Sequence, residues 1–353
     1  MADTKELIIF IPGMVVSEPE EFLEKLMNGI RSFCQSQGLR LRSLEDSGEP
    51  GTGRRQIEVM LEDGSVKTID IQETYWGDLR PLLSSESIMR KILRGFNLLV
   101  FWVSSPKTWG QARHSKFMMF NMIFTLILML TWYYGALAAG ITAIGSNPDF
   151  FGQPLPGWLA EWSKDLGKNM GGWSVWGIAA IIMGLLPVTK MIDAIYSTKD
   201  YLQNRHGVRH KICGRIAKAL ADASRSAGKR YDRITVLAHS FGVVVGTEVL
   251  ADYAGENTKV RVITLGGPLL LIAARSDRVQ NALDRFIAND KIETWIDFYS
   301  DQDWLCTKSP VDESVNKFQS RKITATVPFD EKVKGESHNL YFDDWDVIST
   351  LLH

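Results

Sequence analysis

The fold of this 353-residue chain follows from one run, Arg233-Ile-Thr-Val-Leu-Ala-His-Ser240-Phe-Gly-Val-Val-Val-Gly246. Ile234 to Leu237 is a short apolar segment rich in β-branched residues, which is typical of a buried strand. Ala238 and Gly242 are small, so a strand and a following helix can pass close together while Ser240 occupies a strained turn with its Oγ exposed. The run therefore predicts a nucleophilic serine between a strand and a helix. An ordinary strand-helix turn is the alternative.

Composition argues against several classes of function. Lysine and arginine number 40 against 41 aspartates and glutamates, and without a dominant basic block we expect no nucleic-acid partner. Cys34, Cys213 and Cys306 lie far apart and have no metal-ligand spacing, so we expect neither a disulfide framework nor a metal site, and a reducing compartment fits. The first apolar run, Leu7 to Ile11, is too short for a signal peptide and is predicted to be a strand.

Apolar runs alternate with helix-compatible segments over much of the chain, which predicts an α/β fold with a mostly parallel sheet covered by helices on both faces. The predicted strands, besides the one before Ser240, are Leu7–Ile11, a hairpin over Ile57–Ile71 around Asp63-Gly64, Val260–Leu265, Thr294–Tyr299 and Ile323–Val327. The predicted helices are Glu20–Gln35, an increasingly apolar one that runs through Phe96–Val103, Asp193–Ala227, Ala274–Asn289 and Tyr341–His353.

Two long uncharged stretches interrupt this alternation. Residues 117–148 and 169–189 contain no charged side chain, and a membrane-spanning helix needs about 20 such residues. Four tryptophans on or beside the connecting segment resemble an interfacial aromatic belt: Trp158, Trp162, Trp173 and Trp176. The stretches therefore predict a two-helix transmembrane hairpin, and buried core helices are the alternative.

Flanking charges predict the orientation of this hairpin. Basic residues are concentrated before and after it, whereas the connecting segment has only Lys164 and Lys168, offset by acidic residues. By the positive-inside rule, both ends of the hairpin and the Ser240 run lie in the cytoplasm. We therefore divide the chain into residues 1–110, a first part of the α/β domain, residues 111–191, the inserted hairpin, and residues 192–353, a second part of the α/β domain.

A nucleophilic serine needs a general base and an acid that orients it. His338 stands in a polar turn after a strand, where a loop histidine carried by a sheet suits a general base. Asp303 follows a predicted strand and precedes apolar residues, so it is the preferred acid, with Asp301 as the alternative. His239 is predicted to pack or to form hydrogen bonds, because its ring points away from the Ser240 Oγ.

Two backbone N–H groups are candidates for stabilising an oxyanion. The Phe241 N–H stands at the start of the predicted helix, and Met14 follows the first strand in the turn Pro12-Gly13-Met14. A plain strand-loop connection is the alternative for that turn. His206 and His210 have helical i, i+4 spacing, but we expect no metal there because no acidic third ligand is placed nearby.

Together these residues resemble the α/β-hydrolase superfamily, and within it the lipases and serine esterases. The matching segments are Ile9-Phe-Ile-Pro-Gly13, Ala238-His-Ser-Phe-Gly242, Thr264-Leu-Gly-Gly-Pro268, Phe298-Tyr-Ser-Asp-Gln-Asp303 and Ser337-His338. The resemblance covers residues 1 to about 105 and about 192 to 353, with the hairpin as an insertion. It implies an eight-stranded, mostly parallel sheet and hydrolysis through an acyl-enzyme, without metal or cofactor.

The leading hypothesis is a membrane-anchored serine hydrolase of carboxylic esters, above all lipid esters, with Ser240, His338 and Asp303 as its catalytic residues. A thioesterase acting on acylated proteins or acyl-coenzyme A is the close alternative. An inactive hydrolase-like membrane scaffold is the alternative from another class. A channel or transporter would need polar or ionisable residues in the spans, where Asn121 is the only obvious polar side chain beyond hydroxyls. The expected partners are a lipid or acyl-ester substrate and the bilayer; the acyl chain and the oligomeric state stay open.

Overall fold

The computed structural model describes most of the two parts that flank the predicted hairpin, and little of the hairpin. The described residues are 4–14, 18–44, 53–61, 64–79, 100–101, 105–112, scattered positions between 119 and 141, 156–170, 196–227, 230–255, 258–303, 308–328, 331–332 and 335–353. Most of the predicted helix through Phe96–Val103 and most of the two uncharged stretches lie outside them. Within these residues, no helix has both the length and the apolar character that crossing a bilayer requires.

An eight-stranded sheet forms the centre of the fold. Its strands are β1 Thr4–Ile11, β2 Arg40–Leu44, β3 Arg54–Met60, β4 Val66–Glu73, β5 Arg233–His239, β6 Val260–Leu265, β7 Ile292–Tyr299 and β8 Phe318–Lys322. They lie in the order β2-β3-β4-β1-β5-β6-β7-β8. All neighbours from β4 to β8 are parallel, and only β3 runs antiparallel to both of its neighbours. The predicted α/β class with a mostly parallel sheet is therefore confirmed.

Helices cover both faces of this sheet. They are α1 Glu21–Gln37, α2 Pro106–Ala112, α3 Gly157–Met170, α4 Val208–Ser226, α5 Phe241–Ala251, α6 Leu269–Arg275, α7 Asp277–Ala288 and α8 Trp345–Leu352, with 3-10 helices at Gly77–Leu79, Arg205–Gly207 and Glu336–Phe342. Alternate strand residues point to opposite faces. Val236 of β5 thus joins the core beneath α4, α5 and α7, while its neighbour Leu237 joins the core beneath α1 and α8.

The β3–β4 hairpin matches the prediction, since the two strands pair in antiparallel register through a turn with Gly64 at φ 81°. The single helix predicted over Asp193–Ala227 is wrong. Residues 196–202 are helical, and α4 begins only at Val208. Between them Asn204, His206 and Gly207 have positive φ angles, a conformation that ends an α-helix and that Asn and Gly tolerate best.

Three other predicted boundaries move. The last strand is β8 at Phe318–Lys322 instead of Ile323–Val327, because pairing with β7, rather than apolar content, sets this strand. The helix predicted over Ala274–Asn289 is two helices, α6 and α7, separated at Ser276. The closing helix starts at Trp345 rather than Tyr341, because the Asp344 side chain accepts from the Asp346 and Val347 N–H groups and caps it there.

Candidate active site

Ser240 lies in the one-residue junction between β5 and α5. Its φ of 56° and ψ of −131° fall in a region that residues other than glycine rarely adopt. Two backbone hydrogen bonds hold the turn: the Ser240 N–H donates to the Leu265 carbonyl at 2.9 Å, and the Val243 N–H donates to the Ser240 carbonyl at 3.0 Å. Strain of this kind persists only where the surrounding structure imposes it, and it occurs most often at active sites.

The turn after β1 touches this junction directly. A Cβ at Gly242 would lie 2.4 Å from the Ile11 carbonyl oxygen and 2.6 Å from that of Pro12. A Cβ at Gly13 would lie 2.7 Å from the Ser240 Cβ and 3.1 Å from its Oγ. The close approach predicted from a small residue at position 242 is therefore present, and its partner is the turn after β1.

The two candidate oxyanion donors belong to these touching segments. Phe241 is the first residue of α5, and its N–H is one of those that an α-helix leaves without an intrahelical acceptor at its N-terminus. Met14 is buried in the turn after β1, directly after the Gly13 that contacts Ser240. Phe241 thus directly follows Ser240, and Met14 directly follows the glycine that contacts the Ser240 side chain, so both N–H groups stay candidates for binding an anionic oxygen.

His338 and Asp303 form a buried hydrogen-bonded pair. The His338 Nδ1 lies 2.7 Å from the Asp303 Oδ2, and their side chains are 9% and 0% exposed. The alternative acid, Asp301, instead pairs with Lys322 at the surface. The expectation of a polar turn around His338 is wrong: the residue lies in the 3-10 helix Glu336–Phe342, because this segment folds inward and buries Tyr341 and Phe342.

His239 links Ser240 to His338. It precedes Ser240 in the chain, its Nε2 lies 3.1 Å from the His338 carbonyl oxygen, and the two imidazole rings are 4.8 Å apart. Complete burial is the main reason that the pKa of His239 is well below its usual range, and the nearby His338 lowers this pKa further. The His239 ring is therefore neutral. A carbonyl only accepts, so the Nε2 carries the proton and donates it. His239 is therefore a buried hydrogen-bonding residue, as its place in the run indicates.

Tyr341 is a site residue that sequence reasoning missed. Its ring is fully buried, and its hydroxyl donates to the Asp303 Oδ2 at 3.0 Å. Gly266, at φ 55°, makes room for the ring, since a Cβ there would lie 2.5 Å from the Tyr341 Cε2. The pair Gly266-Gly267 after a strand was the available signal, because two adjacent glycines at a strand end mark a close approach.

A buried carboxylate anchors the loop that carries Asp303. Asp297 of β7 accepts from the Thr264 hydroxyl at 2.7 Å and from the Ser309 N–H at 2.8 Å. Burial raises the pKa of Asp297, and these two hydrogen bonds oppose the rise. Ser309, after β7, is therefore held against this strand, and Asp303 itself is only 1% exposed. Contacts of its Oδ2 with His338 and Tyr341 position Asp303.

The remaining histidine candidates do not come together. His206 has a φ of 52° in the 3-10 segment before α4, whereas His210 lies in α4 with its Nδ1 3.1 Å from the Asn204 Nδ2. The two rings are therefore not on one helix face. Nowhere in the part of the chain that the structure describes do three or more His, Cys, Asp or Glu side chains gather as a metal site would need.

The arrangement contains the parts that acyl transfer to a serine requires. It combines a strained serine at a helix N-terminus, an imidazole held by a buried carboxylate, and the Phe241 N–H directly after the serine. Comparisons of the chain with protein-family models, curated proteins and solved structures find no match.

Proposed function

We propose that this chain is a membrane-anchored serine hydrolase with an α/β-hydrolase fold, which cleaves carboxylic esters, foremost lipid esters, through an acyl-enzyme. One observation carries the proposal: Ser240 has a strained backbone between β5 and α5, and its chain neighbour His239 contacts His338 of the buried His338–Asp303 pair. Strain at a serine is costly, and here it points the serine at the turn that would hold an oxyanion. An ordinary strand-helix turn needs neither the strain nor the buried pair.

The proposed reaction has two halves. In the first, His338 Nε2 takes the Ser240 Oγ proton as Oγ attacks the ester carbonyl, and the Phe241 and Met14 N–H groups bind the resulting oxyanion. The carbon–oxygen bond to the alcohol then breaks, and His338 gives the alcohol its proton. In the second half, water gives a proton to His338 as it attacks the acyl carbon. The bond from that carbon to the Ser240 Oγ then breaks, His338 returns the proton to Oγ, and the carboxylic acid leaves. Asp303 keeps His338 oriented in both halves.

The membrane anchor is supported by surface chemistry as well as by the uncharged stretches. Four large apolar side chains with helical backbone are between 40% and 54% exposed, namely Ile123, Ile127, Leu130 and Tyr134. Their spacing of four, three and four residues puts them on one helix face. In the connecting segment, Trp158 and Trp162 of α3 are 70% and 53% exposed. We propose that residues 111–191 form a transmembrane hairpin that holds the hydrolase domain at the cytoplasmic face.

Labelling with a fluorophosphonate probe tests the chemistry. The full-length protein in membranes should react, Ser240→Ala should not react, and His338→Ala should react far more slowly, because the base is lost. Paired oxyesters and thioesters with one acyl chain then separate an esterase from a thioesterase. A wild-type protein that does not react in membranes or in detergent would contradict the proposal and favour an inactive scaffold.

A membrane-impermeant maleimide tests the anchor in intact cells. Cysteine introduced at Lys164, in the connecting segment, should react from outside the cell. Cysteine at Lys218, an exposed position on α4, should react only after the cells are opened. The opposite pattern would reverse the orientation, and complete release of the protein by alkaline carbonate would exclude a spanning hairpin.

A further inference from the structure

Two cationic side chains meet on one aromatic ring near the candidate site. The guanidinium carbon of Arg275 lies 4.0 Å from the Phe101 ring centroid, and the Nζ of Lys199 lies 5.2 Å from the same centroid. A ring face attracts a cation, but two cations on one ring repel each other. Two cations held close to one ring attract an anion, which would interact with both charges.

Both cations belong to elements that contact the candidate active site. Lys199 follows Thr198, whose hydroxyl lies 3.4 Å from the sulfur of Met14, the candidate oxyanion residue. Arg275 ends α6, which starts after Gly267, and a Cβ at Gly267 would lie 2.7 Å from Val243 of α5. Since a helix rises 1.5 Å per residue, α6 carries Arg275 about 10 Å from its own start. The pair therefore belongs to segments that adjoin the candidate site.

Local charges sharpen this arrangement. Lys199 is only 7% exposed, and burial lowers its pKa. The positive charges of Arg205 and Arg275 lower this pKa further, whereas the negative charge of Asp200 raises it. The Nε of Arg275 is buried and has no hydrogen-bond acceptor among the described residues. Leaving this buried donor unsatisfied is unfavourable, and an anion that reaches the guanidinium would supply the acceptor.

We propose that Arg275 and Lys199, which share the Phe101 ring, form a subsite for an anionic phosphate group of the substrate. The inference rests on the proposed ester hydrolysis at Ser240 and specifies its substrate class, an acyl ester or thioester that carries a phosphate. Guanidinium binds phosphate with two parallel hydrogen bonds, and ammonium adds a point charge. The phosphate could belong to a lipid headgroup or to a soluble phosphorylated acyl carrier such as coenzyme A, which have this chemistry in common.

Substrate discrimination by the full-length protein in detergent tests the subsite. Two esters with the same acyl chain are compared, lysophosphatidate and monoacylglycerol, with acyl-coenzyme A as a third substrate. The variant Arg275→Gln should lower the ratio of kcat/KM for lysophosphatidate to that for monoacylglycerol about tenfold, chiefly through KM, as expected for about 1.4 kcal/mol of lost phosphate binding. The relative rates on lysophosphatidate and acyl-coenzyme A distinguish the two sources of phosphate.

The matched control is Lys107→Gln, on the helix α2 that packs against α6. Lys107 is 69% exposed and pairs with Asp277 at the surface. This variant should keep the wild-type ratio of the two activities. An equal loss on both esters in Arg275→Gln, or no loss on either, would overturn the proposal, because Arg275 would then be only a packing residue.

A binding measurement separates this proposal from the proposed function. Glycerol 3-phosphate is titrated into the Ser240→Ala protein by calorimetry, with glycerol as the uncharged reference, and the titration is repeated in Ser240→Ala/Arg275→Gln and Ser240→Ala/Lys199→Gln. Binding that depends on both cations supports the subsite even if the wild-type protein hydrolyses no ester. Ester hydrolysis by the wild type, without Arg275-dependent binding or discrimination, would leave the proposed function standing and overturn the subsite. Because two cation variants are tested, the measurement remains decisive if one of them does not fold.

Discussion

The Tyr341 hydroxyl donates a hydrogen bond at 3.0 Å to Asp303 Oδ2, the same oxygen that lies 2.7 Å from His338 Nδ1. One carboxylate oxygen therefore serves two donors. A hydrogen bond donated to an ionised carboxylate stabilises the charged form of that carboxylate. Tyr341 thus acts on His338 through Asp303, and we assign it as a positioning residue.

Replacing Tyr341 with Phe removes this hydroxyl and keeps the ring. Asp303 Oδ2 then loses one of its two hydrogen-bond donors and holds His338 less firmly, so kcat should fall about threefold to tenfold while KM changes little. Tyr253→Phe, beyond the far end of α5 from Ser240, is the control and should keep the wild-type kcat. A KM that changes as much as kcat, or an equal loss in Tyr253→Phe, would show that Tyr341 only fills space.

The two neighbouring aspartates should differ sharply in their effect on activity. Asp303→Asn leaves His338 without a charged partner for its Nδ1–H, so kcat should fall by about 10³ to 10⁴. Asp301→Asn removes only a surface ion pair with Lys322, and its effect should stay within about twofold. Steady-state kinetics of the two variants decide between the residues. Comparable losses in both would contradict the assignment of Asp303.

Two glycines of α5 make a matched pair for the close approach beside Ser240. Gly242→Ala would place a methyl group 2.4 Å from the Ile11 carbonyl oxygen, and this backbone cannot easily give way, so we expect a loss of several kcal/mol in the free energy of unfolding. Gly246→Ala meets only the Ile11 Cδ1 at 3.3 Å and the Ala238 Cβ at 3.6 Å.

The better helix propensity of alanine should offset those mild contacts at position 246. The free energy of unfolding of Gly246→Ala should therefore lie within about 1 kcal/mol of the wild-type value. Denaturant unfolding measures both variants, and probe labelling reports whether Ser240 remains competent. If Gly242→Ala were as stable as Gly246→Ala, the contact between the turn after β1 and α5 would not be as close as described.

Glu73 should make stability depend on pH near neutrality. Its pKa is raised to about 7, chiefly by burial and further by the negative charge of Glu20. Two weaker effects lower this pKa: the Glu20 N–H donates to the Glu73 Oε2 at 2.8 Å, and the positive charge of Arg55 is nearby. Between the ordinary pKa of 4.5 and about 7, the folded protein therefore binds more protons than the unfolded chain. By linkage, the free energy of unfolding falls as the pH rises through this window.

The variant Glu73→Gln keeps an acceptor for the Glu20 N–H and removes the titration. Its free energy of unfolding, relative to the wild type, should rise by on the order of 2 kcal/mol between pH 5 and pH 8. Urea unfolding at a series of pH values measures this difference. A constant difference between the two proteins across the series would show that Glu73 does not titrate in this window.

Local patterns in the sequence were enough to place the strand, turn and helix around Ser240. The predicted strand Ile234–Leu237 lies within β5, and the helix expected after Ser240 is α5. The hairpin around Gly64 was equally local. These features depend on backbone sterics and on burial of adjacent residues, and such causes act within about ten residues of chain.

The sequence could name candidate site residues that are distant in the chain, but it could not show which of them contact each other. Asp301 and Asp303 follow the same strand, and only the sheet order and the inward fold of the Glu336–Phe342 segment decide which of them contacts His338. Tyr341 gave no local signal at all, since its role depends on a space that Gly266 leaves in a different strand connection. β8 was misplaced for a similar reason, because its pairing with β7 outweighs its polar sequence.

The sequence by itself thus determined the α/β class, the position of the strained serine and the uncharged stretches, because steric limits and hydrophobic periodicity are written in neighbouring residues. The tertiary structure alone decided which acid contacts His338, that Tyr341 donates to that acid, and that Arg275 and Lys199 share the Phe101 ring. Those contacts join residues that are 35 to 174 positions apart (303 to 338, 101 to 275), and only the assembled sheet brings such residues within hydrogen-bonding or ring-contact distance.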